Sequence, residues 1–283
     1  MTPPHFSAAV YNRAAYLALS TKALVSKSRK AFKNMAEQNE FPEKRRIAIL
    51  IDGDNAQPSL IREMLAEVSK YGRTTLRRIY GDWTTPHMNG WKETLQENAI
   101  QPLQQFRYTV GKNATDSAMI IDAMDILYSG VVDGFCIVSS DSDYTRLATR
   151  IREKGFFVMG IGQQKTPKSF TNGCDLFVFT ENLAPQIKPC GTKSKTPLPA
   201  AVSLPVEDAL PLLKKAFELS IQEDGWAYLS SVGNALRSLD PSFDQRSYGC
   251  FSLKALISKL PGSFDLRENQ MESGNQIVLI RYK

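Results

Sequence analysis

The chain has 283 residues, 42% of them hydrophobic, and a formal net charge of +6; that length holds one large domain or two small ones. Its apolar runs fall far short of the about 20 residues a bilayer-crossing helix needs, so no membrane partner is expected. Four cysteines (Cys136, Cys174, Cys190, Cys250) without a CxxC pair and two distant histidines (His5, His87) argue against a disulfide framework and a zinc site, and imply free thiols in a reducing, cytoplasmic setting.

Residues 1–45 are rich in Ala, Ser, Lys and Arg and carry no acid before Glu37. Residues 8–32 could form a basic helix, which leaves three options: an arm that touches RNA, an inert extension, or an organellar targeting segment. A secretory signal has an apolar core, which this stretch lacks, so export is not expected. From Ile47 onward the pattern alternates. Strands are expected at 47–51, 75–80, 100–108, 134–139, 156–161 and 175–179. Between them, Pro58 opens a helix to about residue 71, Thr85-Pro86 starts another, and Thr115 reads as the N-cap of a helix over 115–128. A further helix over 142–154 stops at Gly155. Such alternation implies βαβ units and a mostly parallel sheet flanked by helices.

Residues 185–204 hold Pro185, Pro189, Pro197 and Pro199 with interspersed lysines and read as a linker. Residues 205–283 read as a small second unit: helices at 209–222, 229–239 and 252–260, then strands at 264–267 and 276–282 joined by a turn at 272–275. That is the outline of a winged helix. The net charge is +6 over residues 1–46, −2 over 46's successor stretch 47–184, +3 over 185–204 and −1 over 205–283. The basic character therefore lies in the leading arm and the linker, the pattern of a flexible tether for a polyanion or of a merely solvated tail.

The stretch from Arg46 to Asn55 is a β-branched run closed by Asp52, Asp54 and Asn55, and the run from Gly134 ends the same way in Asp141 and Asp143. Ligands in open α/β sheets bind outside the carboxyl ends of such strands. Asp116, in the first turn of its helix, adds to the group. Each aspartate alone is more often a turn or cap residue than a functional one, but five near one predicted edge favour an oxygen-ligand site for Mg²⁺ or Mn²⁺. Such an ion suits phosphodiester hydrolysis. Asp54 shares Asp52's side only if the chain stays extended past Gly53. Asn55 could orient a water or cap a turn, and Lys112 could touch phosphate. Ser139, Ser140 and Ser142 are hydrogen-bond supports or loop residues. Asp122 lies six residues after Asp116, about 240° round the helix, which makes sharing one ion awkward.

The blocks IDGDN, KNATDSAMIIDAM and VSSDSDY, in that order over about 45–184, resemble the NYN domain, a member of the PIN-like ribonuclease group. The resemblance implies a metal-dependent cut of RNA, with Asp52, Asp116, Asp141 and Asp143 as metal-binding catalytic acids and Asn55, Asp54, Asp122 and Lys112 in support. The boundaries it suggests are an extension at 1–45, an NYN domain at 46–184, the linker at 185–204 and a second domain at 205–283. That second unit resembles a LOTUS (OST-HTH) domain in Asp224-Gly225-Trp226, Leu229, Val232, Gly233, Leu236, Phe243, Arg246, Tyr248-Gly249, Leu253, Leu256 and Phe264. The likeness implies binding to RNA or to a protein partner. Arg237, Arg246, Lys254 and Lys259 are its available cations, and Trp226 and Tyr248 are either stacking residues or core. Two alternatives remain: an RNA-binding protein without catalysis, and a phosphatase of the haloacid dehalogenase type, whose DxD strand IAILIDGDN resembles. For the latter, Ala56 stands where Thr or Val belongs. A dinucleotide site is excluded by the missing G-x-G-x-x-G.

Overall fold

The computed structural model describes residues 45–106, 114–183, 203–270 and 276–283. Its larger layer is a six-stranded parallel sheet of β1 (Arg46–Asp52), β2 (Arg73–Gly81), β3 (Gln101–Gln104), β4 (Gly134–Val138), β5 (Phe157–Gly162) and β6 (Leu176–Phe179), in the order β3-β2-β1-β4-β5-β6. Helices cover both faces, which is why β1 is an unbroken apolar run rather than an alternating one. Ile47, Ile49 and Ile51 pack with Met64, Val68, Trp91 and Leu95 on one side. Ala48 and Leu50 pack with Met119, Ala123, Leu147 and Ile151 on the other.

The helices are α1 (Ile61–Ser69), α2 (Lys92–Glu97), α3 (Ala114–Ser129), α4 (Thr145–Glu153) and α5 (Lys168–Gly173). Pro58 and Pro86 each begin a 3-10 turn that leads into the next helix, as proline at a first helical position favours. Thr115, expected as an N-cap, is instead the second residue of α3. The third strand is shorter than its expected stretch: it ends at Gln104, although the Gln105 N–H still donates to the Gly81 carbonyl at 3.1 Å, and positions 107–108 lie outside the described residues. Short α5 carried no sequence signal. Strand order reverses between β1 and β4, where β1's Ile51 pairs with Val138, so the chain leaves both strands on the same edge.

Residues from 203 onward form α6 (Leu210–Glu218), α7 (Leu229–Leu239), α8 (Leu253–Ser258) and a three-stranded antiparallel sheet. Its strands are β7 (Ala227–Tyr228), β8 (Phe264–Gln270) and β9 (Gln276–Tyr282), in the order β7-β9-β8. Leu213, Phe217, Val232, Leu236, Leu256, Phe264 and Ile280 make its core. Gly249 closes the 3-10 turn Gln245–Tyr248 at φ 67°, a left-handed position where a side chain would be strained.

This small unit packs against the larger one. The Phe177 N–H, which points out of edge strand β6, donates to the Pro241 carbonyl at 2.8 Å. Asn182 Nδ2 donates to Ser247 Oγ at 2.9 Å. The Arg246 guanidinium reaches Glu67 Oε2 at 3.0 Å and Oε1 at 3.3 Å while also pairing with Asp244. Covering an edge strand in this way removes a template for aggregation. Glu67 is 4% exposed. Burial pushes its carboxyl up, but Arg246 and Lys70 outweigh burial and hold it below its ordinary 4.5.

Candidate active site

Asp52 is the last residue of β1 and is fully buried. Past it the chain turns sharply, with the Ala56 N–H donating to the Asp52 carbonyl at 2.9 Å. The turn needs glycine at position 53, since a Cβ there would lie 2.6 Å from Met88 Cε and 2.8 Å from the Tyr80 carbonyl oxygen. Asp54 therefore does not continue the strand; its N–H donates to Asp52 Oδ1 at 3.2 Å. Asp52 Oδ2 accepts from Asn55 Nδ2 at 2.7 Å and from Ser139 Oγ at 2.8 Å. Burial raises the Asp52 pKa, the donors from Asn55 and Ser139 oppose that, and the negative charge of Asp116 adds to it.

Beyond β4, the Asp141 N–H donates to Ser139 Oγ at 3.1 Å. Asp141 Oδ1 caps the next turn by accepting from the Asp143 N–H at 2.9 Å. Asp116 enters from the first turn of α3 and accepts from the Tyr144 hydroxyl at 2.7 Å. Oxygens of Asp116, Asp141 and Asp143 lie within 4.8 Å of one another. Burial raises the Asp116 pKa most, and Asp141, Asp143 and Asp54 raise it further. The same surroundings push the Tyr144 phenol up, so it stays a donor.

The donor set fits a hard cation. All its groups are carboxylate oxygens, two are half-buried and one is exposed, and their mutual repulsion is what a bound Mg²⁺ or Mn²⁺ would relieve. Asp52 stands outside this trio, with its oxygens taken by three donors. The same closure leaves it ill placed as the exposed nucleophile that a dehalogenase-type phosphatase requires.

Asp122, expected as a support, faces the opposite way round α3. It takes Arg78 Nη1 at 2.7 Å and the Tyr80 hydroxyl, and so ties α3 to β2. Lys112 lies outside the described residues. Among the four cations expected to face RNA, Arg237 and Lys259 are exposed and Lys254 pairs with Glu268 at 2.8 Å. Arg246 does not fit that expectation, because Asp244 and Glu67 occupy its guanidinium. Trp226 lies under the Arg281 guanidinium at 4.9 Å, and Tyr248 packs on Phe243 at 5.9 Å. Sequence reasoning missed Tyr144, although it directly follows the paired acids. It also missed Glu67, whose partner is distant in the chain.

A six-stranded parallel sheet with acids converging beside its reversal of strand order is a doubly wound α/β fold. The NYN domain family matches residues 46–182 and the OST-HTH/LOTUS domain family matches residues 203–276, so the chain carries an NYN domain followed by a LOTUS domain, the latter a type that binds RNA. A protein of unknown function from Vibrio parahaemolyticus RIMD 2210633 is 19% identical over 49% of this chain and 94% of its own, with a TM-score of 0.41. An uncharacterized protein from Nitrosomonas europaea is 32% identical over 33% of this chain and 92% of its own, with a TM-score of 0.25. No curated protein matches the chain. Among the described residues no helix is long and apolar enough to cross a membrane.

Proposed function

We propose that the chain is a metal-dependent ribonuclease. In this reading residues 46–184 are the catalytic domain, 185–204 a linker and 205–283 a module that brings RNA or a protein partner. The observation that carries it is the mutual approach of Asp116, Asp141 and Asp143 at the carboxyl edge of the sheet. Mg²⁺ or Mn²⁺ would be held there. The ion, when bound, supplies Lewis acidity toward water and toward the phosphate oxygens.

The protein's own groups set the site in order. Tyr144 fixes one oxygen of Asp116 and leaves the other to the ion. Ser139 and Asn55 hold Asp52 at the back of the site, and Asn55, anchored through Nδ2, keeps its amide oxygen to accept from a water. Asp52 is a positioning residue here, adding negative charge behind Asp116. Of the four LOTUS-domain cations, exposed Arg237 and Lys259 are available to phosphates, Lys254 only by giving up Glu268, and Arg246 not at all. Buried free thiols at Cys136, Cys174 and Cys250 support a reducing cytoplasmic setting.

The test uses full-length protein and a 5′-labelled structured RNA with Mn²⁺, Mg²⁺ or EDTA, beside the Asp141→Asn/Asp143→Asn double variant. Cleavage that needs metal and is lost in the variant is expected. Cleavage that survives the variant would assign it to a contaminant. Tight binding without cleavage in any metal would replace the proposal with a non-catalytic RNA-binding role.

A further inference from the structure

A second feature lies on the same sheet, two strands away from β1. β3 is the edge strand beyond β2, and α2 runs alongside it. Between them is a cavity of about 700 Å³ lined by Trp83, Lys92, Leu95, Gln96, Pro102 and Gln104, among others. Leu95 is buried, as is Ile100 at the strand's entry, and together they make an apolar floor. Trp83 follows the end of β2. Its indole Nε1 donates to the Leu103 carbonyl at 3.0 Å, and its backbone N–H donates to Gln104 Oε1 at 2.9 Å. Gln104 Nε2 in turn donates to Asp82 Oδ1 at 2.9 Å. The ring is thus pinned across the mouth of the groove.

That mouth opens on the edge where the acids lie. Asp52 pairs with Tyr80 across β1 and β2, and Gly81 pairs with Gln104 across β2 and β3. Three strand spacings, about 15 Å, separate β3 from β4, past whose end Asp141 and Asp143 lie.

We propose that this groove seats an unpaired RNA base a few nucleotides from the phosphodiester that is cut. The inference rests on the ribonuclease reading and adds a substrate requirement to it: a single-stranded nucleotide at that distance from the cleavage point. The chemistry is matched. A fixed indole and an apolar floor suit the faces of a flat heteroaromatic ring. The Gln96 amide both donates and accepts, as base edges do. The exposed Lys92 ammonium suits the phosphate attached to that base. A base can enter only if it is unstacked, so duplex RNA is excluded from the groove.

The experiment uses full-length protein and a fluorescein-labelled single-stranded RNA of mixed sequence. Anisotropy in EDTA reads binding, and cleavage in Mn²⁺ reads KM and kcat. Trp83→Ala is expected to weaken binding about tenfold and to raise KM with kcat unchanged. Trp83→Phe, which keeps a stacking face, is expected to recover most of the loss. Lys92→Gln, at an exposed position, is expected to lower the salt slope of binding by about 1. If Trp83→Ala does not fold, Lys92→Gln and Gln96→Ala, both at exposed positions, carry the test. Unchanged binding and KM in every folded variant other than Trp83→Phe, with a wild type that cleaves, would overturn the groove while leaving the nuclease standing. A wild type that neither binds nor cleaves RNA in any metal would overturn both.

Discussion

Two groups of acids in this molecule have opposite surroundings. At the β1/β4 edge, Asp116, Asp141 and Asp143 face one another, and the pKa of Asp116 is raised. At the seam between the two units, Glu67 meets Arg246 and Lys70, and its pKa is lowered. The seam is neutralised from within the chain, so its ion pairs contribute to holding the fold together. The edge gathers three carboxylates within 4.8 Å of one another, an arrangement that favours a cation between them. Carboxylates matched with cations by the chain point to structure, and carboxylates gathered against one another point to a ligand.

The sharpest break of this comparison is Asp116→Asn. Removing one ligand is expected to lower metal-dependent cleavage by about 100-fold. It should also abolish the rise in Tm that Mn²⁺ gives the wild type, while leaving the apo protein as stable or more so, because a like-charge repulsion is gone. Scanning calorimetry with and without Mn²⁺ checks both halves; an apo protein markedly destabilised by the change would mean that the acids are structural.

At the seam the expected effect has the opposite sign. Glu67→Ala leaves Arg246 with Asp244 alone and should cost about 3 kcal/mol in urea unfolding. Arg246→Ala combined with it should cost much less than the two separate losses added together. RNA cleavage per folded molecule should not change. Additive losses would show that the pair does not couple the two units.

The smallest effect is in the pH dependence of stability, measured in EDTA. Glu67 has a folded pKa below its ordinary 4.5. Its stabilisation is therefore complete above that value and is lost as pH falls through the folded pKa. The stability gap between wild type and Glu67→Gln should be widest near neutrality and shrink in acid below about pH 4.5. Asp116 has a folded pKa above its ordinary 3.8, so it costs stability above the folded value. That cost is relieved as pH falls toward 3.8. Asp116→Asn should then match or exceed the wild type at neutral pH, and its advantage should close in acid. Parallel curves for the two variants would erase the contrast between edge and seam.

The α/β class and the parallel sheet were legible in the sequence because a strand covered on both faces must be an unbroken apolar run, as residues 47–51 are. The acids at the strand ends were legible because a parallel sheet sends its carboxyl ends to one edge. The NYN and LOTUS likenesses were carried by contiguous blocks such as IDGDN and VSSDSDY, which survive as strings. Which acids meet was not legible. Asp52 and Asp116 were equal candidates, but the turn at Gly53 wraps Asp52 in donors while α3 brings Asp116 to Asp141 and Asp143. The rotation of α3 against β2, set by packing of Met119 and Ala123, is what gives Asp122 to Arg78 and Tyr80. Arg246 looked like a surface cation because its partner Glu67 lies 179 residues away. Local order along the chain determined the elements and the residue types at their ends. Only the tertiary structure decided which charges are neutralised and which are left facing one another, because that depends on contacts between elements that the chain holds far apart.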